Sequence, residues 1–224
     1  MNKNIFVACD VSSQKEILEL LSKIHKEISG IKIGLQYIIR HSVEDIKELS
    51  KFNKPIFYDG KFFDIKNTLI ESVKSLKELE ISYATVHLLN GLDALKAANK
   101  VAKDINLKLL GVSVLTSFDN EQLELLGFKN QVEDQVLRLI KIADQANLYG
   151  VICSPLEVKM VKKIAPNLKC FTPGIRQDKI INDQKRTMNA KQALEQGSDC
   201  LIIGRPITKG DPKKNIQEIL NSIN

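Results

Sequence analysis

The 224 residues, 43% hydrophobic and 27% charged, carry enough apolar material for one sizeable core, which excludes a disordered or fibrous chain. No run of about 18 apolar residues occurs, so no helical membrane span is expected. The net charge of +6 comes with lysines interleaved with glutamates, as in "KEILELLSKIHKE" (15–27), and with no basic block interleaved with aromatics; it reads as a solvated surface, so no nucleic-acid partner is expected.

The chain then alternates strand and helix. "NIFVACDV" (4–11) is a short apolar run with strand character, and "SSQKEILELLSKIHKEI" follows with Ile17, Leu20, Leu21, Ile24 and Ile28 at helical spacing. "GIKIGL" (30–35) reads as a second strand, followed by helix to about residue 51. "KPIFYDG" (54–60) is the third strand and "TLIESVKSLKELE" (68–80) the third helix. "YATVHLL" (83–89) pairs with a helix near 91–103, and "LKLLGVSVL" (107–115) with "QVEDQVLRLIKIADQAN" (131–147). "YGVICS" (149–154) precedes "PLEVKMVKKIA", and "LKCFTPG" (168–174) precedes "NAKQALEQG". "CLIIGRPI" (200–207) and "DPKKNIQEILNSI" close the series.

Eight such units without a Pro/Gly/Ser-rich linker predict a single-domain (β/α)8 TIM barrel of the α/β class spanning 1–224. Continuous apolar strands fit a parallel sheet covered on both faces. An open doubly wound sheet is the alternative, and no GxGxxG opens the first helix.

A barrel places its site at the carboxyl ends of its strands. There the sequence sets Asp10 on strand one, Lys32 in strand two, and Asp59 and Lys61 on strand three. His87 lies in strand four, Thr116 and Ser117 end strand five, Ser154 ends strand six, Arg176 follows strand seven and Arg205 ends strand eight. One such charge would read as a surface loop. The whole set, at matching positions on otherwise apolar strands, reads as a site.

"PIFYDGKFFDIKNT" (55–68) is the sharpest stretch. A buried strand runs into Asp59, Lys61 and Asp64, and interior charges are costly unless paired or used. Strand alternation turns Asp59 and Lys61 to one side, the cavity side at a barrel mouth. Opposite charges at about 4 Å attract by roughly 4 kcal/mol at an effective dielectric of 20. Lys32 on the neighbouring strand can join the array. A structural salt-bridge network is the competing reading of the spacing alone.

"DGKFFDIKNT" resembles the D-x-K-x-x-D-I-x-x-T motif of the orotidine 5′-phosphate decarboxylase family. "ACDV", "IKIGL", "VSVLTS", "TPGIR", "NDQKRTM" and "IIGRPIT" resemble further segments of that family in the same order, so the resemblance spans the chain. It implies decarboxylation of orotidine 5′-phosphate to UMP, the last step of de novo pyrimidine synthesis, with no metal and no organic cofactor. By the matched motifs Lys61 is the proton donor to C6 and Asp59 sits against the substrate carboxylate. Asp64 and Thr68 reach into the neighbouring subunit's site, which implies a homodimer. Asp10 and Lys32 bind the ribose hydroxyls, Lys32 also joining the charged array, and Thr116 contacts the pyrimidine.

Gly204 and Arg205 suit a phosphate: glycine admits it to backbone N–H groups and arginine offers a fork of donors. The polar stretch 174–186 is long enough for a lid. By resemblance Gln184 on it bridges phosphate and base, with Arg176 and Arg205 nearby. Two departures stand out: "VHLLNG" replaces the family's VHAxGG, and "DIKNT" replaces DIPNT. The histidine of the first, His87, is expected to be buried, hydrogen-bonded and non-catalytic.

The rival readings are a Mg²⁺-dependent keto-gulonate-phosphate decarboxylase or hexulose-phosphate synthase of the same suprafamily, and a non-catalytic basic nucleic-acid-binding barrel. The sister enzymes carry an acidic residue near the Lys32 position. Cys9, Cys153, Cys170 and Cys200 lack metal-ligand spacing and read as reduced, buried thiols. No secretory signal is recognisable at the N-terminus, so a cytoplasmic setting is expected.

Overall fold

The computed structural model describes residues 4–176 and 187–223. Eight parallel strands close into a barrel in sequence order: β1 (Ile5–Ala8), β2 (Gly30–Gly34), β3 (Ile56–Phe62), β4 (Tyr83–His87), β5 (Lys108–Val112), β6 (Gly150–Ile152), β7 (Lys169–Thr172) and β8 (Cys200–Ile203). Closure is made by β1 against β8, with Phe6 opposite Ile202 and Val7 opposite Ile203. The expected (β/α)8 architecture is therefore present.

Helix α1 (Gln14–Ile24) shows how the outer layer forms. Ser13 caps it by accepting from the Glu16 N–H, and Ile17, Leu20, Leu21 and Ile24 form its buried stripe. Each such side chain contributes about 1.5–3 kcal/mol when fully buried. The helix ends before Ile28, which is buried from the following turn. Similar apolar stripes seat α5 (Leu92–Asp104), α7 (Val132–Gln145) and α11 (Pro212–Ser222) on the barrel.

The barrel interior is aromatic at its lower end. Phe6, Phe57 and Phe171 meet edge-to-face, with centroids 6.0–6.3 Å apart, and Tyr83 packs 5.5 Å from Phe6. Lys108 caps this layer from below, 5.1 Å from the Tyr83 ring centre and 4.9 Å from that of Tyr149. This floor leaves the carboxyl end as the place where side chains can be polar.

The structure corrects the strand ends. β8 stops at Ile203, and Arg205 opens the helical turn α10 (Arg205–Thr208) instead of ending a strand. Pro206 is the cause: it has no N–H for a ladder bond and fits the first turn of a helix. β1 ends at Ala8 and β5 at Val112, so Asp10 and Thr116 stand in the loops just beyond.

Strand β3 departs furthest from simple alternation. Its pairing with β4 runs Tyr58 to Ala84 and resumes only at Phe62 with Val86. Asp59, Gly60 and Lys61 bulge between those points, and Lys61 takes a left-handed backbone, φ 47°. A side chain at Gly60 would meet the Tyr58 ring at 2.8 Å, so the bulge needs glycine there.

Candidate active site

A cavity of about 750 Å³ opens at the carboxyl ends of the strands. Asp10, Lys32, Asp59, Lys61, Thr116, Arg176, Gly204 and Arg205 all line it. Most of the residues singled out from the sequence thus meet in one place.

Charge is organised as a chain of ion pairs. Lys61 Nζ lies 2.9 Å from Asp59 Oδ1, Lys32 Nζ lies 3.4 Å from Asp59 Oδ2, and Lys32 Nζ lies 3.2 Å from Asp10 Oδ1. Exposure rises along it from the centre: the Lys32 side chain is 9% exposed and Asp59 14%, against 36% for Lys61 and 56% for Asp10. Burial opposes the charge on Lys32, yet Asp59 and Asp10 together outweigh it and raise its pKa. Burial likewise opposes ionised Asp59, and Lys32, Lys61 and a hydrogen bond from Thr85 outweigh it and hold the carboxyl below its usual range. The inner pair stays ionised at neutral pH because each charge stabilises the other.

Thr85 was not legible from the sequence. It is fully buried on β4 and does not line the cavity. Its Oγ1 accepts from the Lys61 backbone N–H at 2.8 Å and donates to Asp59 Oδ1 at 2.9 Å. Two further cavity residues, Thr208 and Lys209, come from α10 and the residue after it, beside Arg205. In the sequence the largely apolar run of β8 continues past Gly204 and masks the start of α10.

Asp64 and Thr68 do not join the cavity of their own chain. Both are exposed, Thr68 in the first turn of α4 (Lys66–Ser75). The Asp64 loop is tied down by Asn90, whose side chain accepts from the Asp64 N–H at 3.1 Å and donates to the Phe62 and His87 carbonyls. Asn90 belongs to the departing "VHLLNG" segment, so that departure has a structural use. His87 is half-buried, accepts from the Leu89 N–H at 3.3 Å, and is held below its usual pKa by burial and then by Lys61. Gln184 and most of the expected lid lie outside the described residues. The four cysteines are buried and free, and burial pushes the Cys9 thiol up to about 12.

Residues 3–219 match the sequence model of the Orotidine 5′-phosphate decarboxylase / HUMPS family. The chain belongs to this family.

Its relatives within the orotidine 5′-phosphate decarboxylase / HUMPS family match over nearly the full length. Orotidine 5′-phosphate decarboxylase from Wolbachia pipientis subsp. Culex pipiens (strain wPip) is 36% identical over 221 residues, covering 98% of each chain. That of Carboxydothermus hydrogenoformans is 37% identical over 216 residues, covering 92% of this chain and 90% of its own. The crystal structure of orotidine 5′-phosphate decarboxylase from Lactobacillus acidophilus is similar with a TM-score of 0.86 at 32% identity, covering 99% of both chains. No helix among the described residues is long and apolar enough to cross a membrane.

Proposed function

We propose that this protein decarboxylates orotidine 5′-phosphate to UMP and CO2, the last step of de novo pyrimidine synthesis, with Lys61 as proton donor. The observation that carries the reading is the Asp10–Lys32–Asp59–Lys61 chain at the barrel mouth. When the bond from C6 to the carboxylate breaks, its electron pair stays on C6 with little resonance relief. An ammonium held in place stabilises that charge as it develops, without solvent reorganisation. The proton of Lys61 then moves to C6, CO2 leaves, and the lysine takes a new proton from solvent. Asp59 holds Lys61 and faces the departing carboxylate. Lys32 and Asp10 bind the ribose hydroxyls, and Thr116 contacts the base.

The phosphate belongs at Gly204 and Arg205. These follow β8, which is three strands round the closed barrel from β3. Arg176 lines the same cavity, and by the family resemblance Gln184 completes the grip.

Lys32 also argues against the Mg²⁺-dependent sister reactions. Its ammonium, paired with both Asp10 and Asp59, puts a positive charge near where the sister enzymes carry an acidic residue. The test is the loss of absorbance as orotidine 5′-phosphate is converted, with and without excess EDTA. Undiminished turnover in EDTA supports the reading; no turnover, or turnover that EDTA abolishes, overturns it.

A homodimer fits the exposed Asp64 and Thr68, which would enter the partner's site. Phe63 is 63% exposed and Ile65 73%, an apolar pair flanking Asp64 that a subunit contact would cover. A cytoplasmic setting fits nucleotide synthesis and four free thiols.

A further inference from the structure

We infer that Thr85 is a positioning residue: its hydroxyl locks the Asp59 carboxylate and the left-handed backbone of Lys61 into one unit. The inference rests on the proposed roles of Asp59 and Lys61.

The β3 bulge creates the need. Tyr58 pairs with Ala84 and Phe62 with Val86, so Asp59, Gly60 and Lys61 all face the single residue Thr85. Their ladder partners on β4 are lost. A buried N–H without an acceptor is unfavourable, and the Thr85 hydroxyl supplies one to Lys61 at 2.8 Å.

Chemistry then fixes every direction. A backbone N–H can only donate, so Thr85 Oγ1 accepts from Lys61 and keeps its own proton for another group. That group, Asp59 Oδ1 at 2.9 Å, is an ionised oxygen that can only accept. Lys61 Nζ donates to the same Oδ1 at 2.9 Å. The bonds close a ring: Lys61 backbone to Thr85, Thr85 to Asp59, and Asp59 back to the Lys61 ammonium. One hydroxyl thereby couples both ends of the lysine to the carboxylate beside it.

The backbone needs such a lock. Lys61 has a side chain at φ 47°, a region L-residues adopt only when their surroundings hold them there. Thr85 is 0% exposed, so no solvent molecule can take over its bonds without repacking. Valine has nearly the same shape and none of the hydrogen-bonding capacity.

Three variants test this in the full-length protein: Thr85→Val, Thr85→Ser and, as reference, Lys61→Ala. Each is measured for kcat, KM and UMP affinity after its melting curve shows a folded state. Thr85→Val should lose about 10²-fold in kcat, as expected for a small misplacement of reacting groups, while its UMP affinity changes little. Thr85→Ser, which restores the hydroxyl, should recover most of that loss. A merely structural Thr85 would lower the melting temperature of both variants and leave kcat of the folded fraction unchanged. If Lys61→Ala is dead and Thr85→Val turns over like wild type, the positioning role is overturned and the catalytic reading stands. If Lys61→Ala is active, both fall. Should Thr85→Val fail to fold, Thr85→Cys takes its place, close in size but weak as donor and acceptor, with the same outcomes applying.

Discussion

Lys61 Nζ lies 2.9 Å from Asp59 Oδ1 although Gly60 and a left-handed backbone separate the two residues on β3. The head of the lysine is fixed by a carboxylate that is itself held by Lys32. Such preorganisation concerns the transition state more than ground-state binding. Lys61→Ala should therefore abolish turnover and leave UMP binding measurable by calorimetry. Retention of more than about one hundredth of kcat would remove Lys61 as proton donor, since a preorganised electrostatic contact alone supplies about 10²–10³-fold.

Arg205→Ala should weaken orotidine 5′-phosphate far more than the phosphate-free nucleoside. Arg205 and Lys209 line the cavity beyond β8, away from Asp59 and Lys61 on β3. Binding energy from a remote group can be spent at the reacting centre, so kcat/KM for the phosphorylated substrate is the quantity to measure. Equal losses on both substrates would show that the phosphate is anchored elsewhere.

The two inner charges set a pH dependence of opposite sign at the two ends. Asp59 is held below its ordinary 3.8. Its ionic contribution to stability is present above that value and is lost as the pH falls through the depressed folded-state value. Lys32 is raised above its ordinary 10.5. Its contribution is present below 10.5 and is lost as the pH rises through the raised value. Carbon-13 NMR of the Asp59 carboxyl should give a midpoint below 3.8, and Lys32→Met should move it upward. An unmoved midpoint in Lys32→Met would show that the ion pair does not govern the carboxyl.

Asp64 supplies the test of a shared site. Homodimers of Lys61→Ala and of Asp64→Ala should each be nearly dead. In a mixed dimer one site lacks both residues and the other keeps both. Random exchange makes half the dimers mixed, so roughly a quarter of all sites recover under two-fold symmetry. Activity should rise toward that fraction when the variants are unfolded and refolded together, and not when they are merely mixed faster than subunits exchange. Mixed dimers that form without regaining activity would return Asp64 to its own chain.

The strand–helix alternation was legible because a strand covered on both faces is apolar throughout, and polar residues at its end then stand out. That logic located Asp10, Lys32, Asp59 and Lys61. It could not locate Thr85, because a threonine inside "YATVH" has ordinary strand character. Its use depends on a register shift between β3 and β4, and register is a relation between distant segments. Alternation predicted that Asp59 and Lys61 would meet, and they do, but through a bulge and not along a regular pleat. The end of β8 is obscured for a local reason: "CLIIGRPI" is largely apolar past Gly204, and only Pro206 marks the turn.

The aromatic layer of Phe6, Phe57, Phe171 and Tyr83 has a consequence for traffic. It makes the barrel a well with a sealed bottom. Substrate enters, and carbon dioxide and product leave, through the same mouth. Carbon dioxide is the smaller and uncharged of the two products, whereas on the proposed assignment the nucleotide has ionic contacts to break first. With one opening and unequal holds, the expected order of departure is gas before nucleotide.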